Sequence, residues 1–172
     1  MRKLLAFALV CAAAVPALAQ EKNPVTSAVR EILPRQQKNI VAAAEEMPAD
    51  KFSYKPTADQ MTFGKLVLHI AEGNNAFCGK IGGSAPPKAP ELKETDAKDK
   101  LIAAMKSSFD FCGTALGKVD DSKLGDKIEL FGHEGTVAWA MIALAGSWSD
   151  HYGMEAMYLR LNGLLPPTAK KK

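Results

Sequence analysis

Histidine and cysteine are scarce in this chain, with three of each among 172 residues, and aromatic residues reach only 7%. A divalent metal usually takes three or four protein ligands, so three histidines leave little room for an imidazole-rich centre. The chain has no Cys-x-x-Cys pair, no glycine-rich phosphate loop and no Gly-x-Ser-x-Gly elbow. Their absence sets aside thiol-pair redox, P-loop and α/β-hydrolase chemistry. Beyond the first twenty residues, no stretch is apolar for the roughly 20 residues that span a bilayer. Neither sign of charge dominates: 22 Lys and Arg stand against 19 Asp and Glu, a formal net charge of +3. What remains is 47% hydrophobic and 24% charged residues, an ordinary globular composition for one domain.

The N-terminus reads as a removable leader. Arg2 and Lys3 form a basic start, Leu4 to Val15 is apolar, Pro16 breaks the run, and Ala17-Leu18-Ala19 offers small residues where a signal peptidase reads. The expected division is a signal peptide over 1–19, a folded domain over 20–168 and a basic tail over 169–172. Cys11 is a poor lipidation site after Ala8-Leu9-Val10. Loss of the leader lowers the net charge to +1, and without Lys170, Lys171 and Lys172 the body is −2. The basic excess therefore sits at the chain ends, which argues against a nucleic-acid partner, since that needs a clustered basic surface. Export places the protein in the periplasm or outside the cell, with no membrane span.

Four helical segments are expected, with no convincing strand. Asn23 caps the first, with Pro24 in its first turn. Val25, Val29, Ile32, Leu33, Ile40, Val41 and Ala44 keep a helical period past Pro34, so one kinked helix is expected rather than two, ending at Met47-Pro48. The connector 48–61 carries Phe52 and Tyr54, which should cover one mouth of the bundle. Thr62 caps the second helix and Gly82-Gly83 stops it. Pro86, Pro87 and Pro90 make the next connector extended. Thr95 caps the third helix, whose stripe is Leu101, Met105, Phe109, Cys112, Leu116 and Val119. Lys127 to Leu130 alternates weakly, as a short extended piece would. The fourth helix runs from about Gly135 to Leu161 and stops at Asn162-Gly163. Four such segments predict an all-α four-helix bundle.

Cys78 and Cys112 remain after the leader is removed. An even pair in an exported chain points to a disulfide, with two buried apolar thiols as the competing reading. Were the second and third helices antiparallel, Cys112 would lie at least about 15 Å from Cys78 by helical rise, beyond disulfide reach. Parallel helices bring the two level, so a disulfide predicts an up-down-down-up order. Free thiols would remove that argument.

Chemistry-bearing residues are few. His69 falls at the edge of the second helix's apolar arc. His151 continues the stripe Ala140, Leu144, Ser147, Met154 and Tyr158 in the fourth. His133 lies about 27 Å from His151 along a straight helix and should not share its site. His69 and His151 are two candidate metal ligands. Glu155, one turn after His151, is the candidate third, with Glu72 and Asp150 facing less well. Imidazole with carboxylate suits zinc, nickel, iron or manganese. Ser147 and His151 are one turn apart, but no orienting acid or oxyanion hole accompanies them. Trp139 and Trp148 read as core or interface anchors. Asn162 reads as part of a helix stop, and Arg160 as a complement to the helix dipole.

The runs Phe52-Ser53-Tyr54-Lys55-Pro56-Thr57, Met61-Thr62-Phe63-Gly64 and Leu68-His69-Ile70-Ala71 resemble the DinB family. So do Asp150-His151-Tyr152-Gly153, Tyr158 to Gly163 and Pro166-Pro167. The resemblance implies a four-helix bundle in up-down-down-up order with a metal site between helices. Metal-binding members place one His on the second helix and a His-x-x-x-His pair on the fourth. His69 matches the first and His151 the second member of the pair, while Ser147 stands where the other imidazole would be. Hydroxyl for imidazole leaves the site incomplete or altered. The expectation is an exported module that binds a small molecule or a protein. The alternatives are a metal-dependent hydrolase or transferase with one divalent metal, and a structural role with dimerisation through an exposed helix face. Thiol-dependent transfer, known in the family, fits an exported chain poorly.

Overall fold

The computed structural model describes residues 22–170. The expected leader with Cys11, and Lys171 and Lys172 of the expected tail, lie outside them. Four helices carry the fold: α1 (Pro24–Glu46), α2 (Phe63–Gly82), α3 (Lys98–Leu116) and α4 (Val137–Leu161). They form a helix bundle with a small hairpin, β1 (Lys127–Leu130) and β2 (His133–Thr136), before α4.

Local chemistry sets most boundaries. α1 passes through Pro34 as one helix. Its start is held from a distance. Asn23 makes no side-chain cap on its own helix; its Oδ1 accepts the Asp121 N–H at 3.0 Å. The Asp121 carboxylate in turn accepts the N–H groups of Val25 and Thr26 at 3.0 and 2.9 Å. This clasp meets two of the first-turn donors that a helix leaves unpaired. Desolvation pushes the Asp121 carboxyl up, but the two backbone N–H bonds outweigh it and hold it below its ordinary value.

Thr62 caps α2 as expected, accepting the Lys65 N–H at 3.0 Å, and Gly83 closes it with φ at 58°. The connector folds back on the start of α2, where Phe63 and Gly64 donate to the carbonyls of Tyr54 and Phe52. A Cβ on Gly64 would stand 2.4 Å from the Glu94 carbonyl oxygen, so this approach requires glycine. Phe52 packs edge-on against Phe63, and Tyr54 against Tyr158, closing that mouth of the bundle. α3 begins at Lys98 with Ala97 as its cap, not Thr95. The reason is a turn in which the Asp96 carboxylate accepts the Lys93 N–H at 2.7 Å, which delays the helix. Thr136 caps α4 through the Trp139 N–H at 3.2 Å.

The contacts fix relative directions. Asn74 meets Ser108, Cys78 is bonded to Cys112, and Gly82 lies against Ala115. Positions advance together, so α2 and α3 run the same way. Arg30 reaches the Leu116 carbonyl and Gln37 reaches Asp110, so α1 runs against α3. Asn74 meets Trp148 and Phe63 meets Tyr158, so α4 runs against α2. The Cys78–Cys112 disulfide has a Cα–Cα distance of 5.1 Å across the parallel pair.

The core is apolar, with Ile40, Leu66, Ile70, Leu101, Phe109, Leu116 and Met141 essentially fully buried. One polar knot crosses it. Asn74 donates to the Ser108 hydroxyl at 3.1 Å and accepts from the Trp148 indole at 2.8 Å, joining α2, α3 and α4. Paired buried polar groups of this kind specify how helices dock.

The hairpin corrects the expectation that there is no strand. Lys127 to Leu130 is extended, and it pairs antiparallel with His133 to Thr136. Phe131 and Gly132 form the two-residue connection with φ of 53° and 75°. Two left-handed residues match the strand twist, but Asn or Gly normally fills the first position. Phe131 is 70% exposed and meets Phe77 edge-on, with ring centroids 5.6 Å apart.

Candidate functional site

Antiparallel packing of α2 and α4 brings His69 beside His151. Their ring centroids are 5.2 Å apart and the planes cross at 86°. Both side chains are half-buried. Ser147, one turn before His151, places its hydroxyl 3.2 Å from the His151 Nδ1. Gly73, one turn after His69, has open space where a Cβ would point. The site is thus an edge-to-face imidazole pair and a hydroxyl on one seam. Burial pushes the His151 imidazole below its ordinary pKa, the His69 charge adds to this, and Asp150 opposes it in part. His151 is therefore neutral around neutral pH, with one ring nitrogen a donor and the other an acceptor.

The other expected ligands stand apart. Glu155 is fully buried, and neither carboxylate oxygen has a hydrogen-bond partner among the described residues. Burial holds its carboxyl well above the ordinary range. Glu72 is exposed and pairs with Lys65 at 3.6 Å, and Asp150 is exposed. His133 begins β2, exposed, with its ring 4.4 Å from that of Trp139. Among the described residues no three His, Cys, Asp or Glu side chains converge as a metal set. Two imidazoles, one of them engaged by a hydroxyl, fall short of the three protein ligands that a catalytic zinc takes. The residues present do not fit a resident metal of the kind implied by the resemblance.

A cavity of about 520 Å³ lies away from this seam, at the other connector. Phe52, Thr62, Glu94 and Asp99 are among its walls. Two of its polar walls are engaged: Glu94 accepts from Thr62, and Lys98 donates to the carbonyls of Glu45 and Met47. The sequence offered no sign of this cavity, because it arises from the connector folding back on α2.

The family model for the DinB superfamily matches residues 32–154, more than half of the chain. The chain belongs to the DinB superfamily. Two solved structures share this DinB fold. A DinB-like protein from Bacillus subtilis is 22% identical, with a TM-score of 0.66, over 84% of this chain and 99% of that one. A DinB-like protein from Bacillus cereus is 14% identical, with a TM-score of 0.68, over 82% of this chain and 95% of that one. No curated protein matches the chain by sequence.

Proposed function

We propose that this DinB protein is an exported binding or interaction module. Its His69–Ser147–His151 seam receives a small molecule or a group on a protein partner, and holds no resident metal. The observation that carries the reading is the Ser147 hydroxyl bonded to the His151 Nδ1. It occupies the position of a ligand and engages a second ligand, leaving an imidazole pair suited to hydrogen bonding. Export rests on the leader pattern of residues 1–19, and a disulfide in the bundle is at home in an oxidising compartment.

Elemental analysis of the protein purified without chelators or a histidine tag tests this, beside a His69→Ala/His151→Ala variant. The expected result is no stoichiometric metal in either, even after incubation with zinc, nickel, iron and manganese. Near-stoichiometric metal lost in the variant would overturn the reading and favour a metal-dependent hydrolase or transferase. Export is checked separately by sequencing the N-terminus of the mature chain, which should begin at Gln20 or Glu21.

A further inference from the structure

The crossing between α2 and α3 is a straight strap. Residues 84–93 contain no turn, bend or strand pairing. Pro86, Pro87 and Pro90 lock φ near about −65° and hold the residues before them extended as well. With no strand beside it, the extended form left to this stretch is polyproline II, which needs no internal hydrogen bonds. From Ala85 to Leu92 no backbone group pairs with another backbone group among the described residues. Both ends are pinned. The Ser84 N–H donates to the Gly79 carbonyl at 3.0 Å, and Lys118 donates to the Ser84 hydroxyl at 3.1 Å. At the far end the Lys93 N–H donates to the Asp96 carboxylate, and the Thr62 hydroxyl holds Glu94. Between these pins, Ala85 to Glu91 are all exposed.

Polyproline II repeats every three residues, about 9 Å apart. One edge of the strap is then Pro86, Ala89 and Leu92. This edge faces the bundle: the Pro86 Cδ would lie 3.8 Å from a Cβ on Gly79, and Leu92 packs on the core. The next edge, Pro87, Pro90 and Lys93, is turned away from it. We propose that this outward ridge docks a partner protein through a groove of aromatic side chains that carries a carboxylate. Such grooves read prolines three residues apart on a preformed polyproline II strand. A strap pinned at both ends has already given up the freedom that binding would otherwise take from it. Charge sets the sign of the groove. Lys80, Lys88, Lys93 and Lys100 are exposed along the strap. Of the nearby acids, Glu94 is held by Thr62 and Asp96 by the Lys93 N–H, which leaves Glu91. The walls of the groove have room beside the ridge. A cleft of about 450 Å³ opens towards α2 at Gly79 and Lys80, and one of about 420 Å³ opens towards α3 at Lys100 and Ala104. Spanning the gap accounts for the length of the strap and for its inward edge. A proline pair in line with a lysine on the outward edge is what a proline-reading groove engages.

The probes are an SH3 domain and a WW domain, each titrated into the isotope-labelled protein and followed by NMR. The amides of Ala85, Lys88, Ala89 and Glu91 should shift with at least one of them, and those of His69 and His151 should not. Pro87→Ala/Pro90→Ala should keep the helical circular dichroism while weakening binding at least about tenfold, a change of roughly 1.4 kcal/mol. Pro86→Ala, on the inward edge, should weaken it far less. Lys88→Glu/Lys93→Glu should weaken it too, with the larger effect at low salt. No shift with either domain at about 1 mM, equal binding by the Pro87→Ala/Pro90→Ala protein, or association only with anionic lipid vesicles would each overturn the proposal.

Discussion

Burial without a hydrogen-bond partner keeps Glu155 protonated in the folded chain at pH values where the unfolded chain has lost that proton. The fold therefore binds more protons than the unfolded state over that range, and linkage gives the sign. The stability tied to this group is complete below the ordinary carboxyl range and is lost as pH rises through the raised folded value. Glu155→Gln should flatten this dependence, and its advantage over the parent should grow as pH rises from the ordinary carboxyl range towards the raised folded value, read by urea unfolding. Glu155→Met removes the unpaired oxygens altogether and should gain about 1–3 kcal/mol at neutral pH. The helical spacing showed that Glu155 follows His151 by one turn, but not that it turns into the core while His151 stays at the seam. That difference comes from how α4 is rotated against α2, which one helix's periodicity cannot report. The proximity of His69 and His151 was likewise legible only through the DinB resemblance, since it depends on two helices separated by a third.

The helices themselves were legible where period and cap agree. Thr62 and Gly83 bracket α2, and Asn162-Gly163 ends α4, as their residue types require. The miss at the hairpin has a plain cause. His133-Glu134-Gly135-Thr136 has no apolar alternation, and Phe131-Gly132 lacks the Asn or Asp that usually marks a primed turn. Phe131→Asn tests how the strain is offset. Asn tolerates the left-handed conformation better by about 1 kcal/mol, but the substitution gives up the edge-on ring contact with Phe77. Near-zero net change in thermal stability is expected, with loss of ordering of the Phe77 ring by NMR. α1 starts where the sequence placed it, with Asn23 as its cap and Pro24 in the first turn, but the Asn23 side chain serves Asp121, on a segment nearly a hundred residues away, instead of its own helix. The disulfide ties α2 to α3 at matching heights. Cys78→Ala/Cys112→Ala, or reduction, should cost about 3–4 kcal/mol for a closed loop of this length, measured by denaturant unfolding with and without reductant.

On the scale of the whole molecule, the cysteine spacing linked covalent chemistry to topology before any helix packing was known. A bond between 78 and 112 can form only if the two helices run together, and a parallel pair obliges the chain to cross the bundle between them. That crossing is the stretch from Ser84 to Glu94, largely exposed, without helix or strand, and carrying three prolines. Because the cross-link sits on either side of it, the crossing is no longer needed to keep the two halves in one molecule. A protease that cuts there should leave a nicked protein of unchanged mass on a non-reducing gel, separating into two fragments only after reduction. The nicked form should hold its helical circular dichroism, since the helix–helix contacts lie elsewhere. In that sense the chain has two independent tethers across the same gap, one peptide and one sulfur, and only the loss of both would let the bundle's halves diffuse apart.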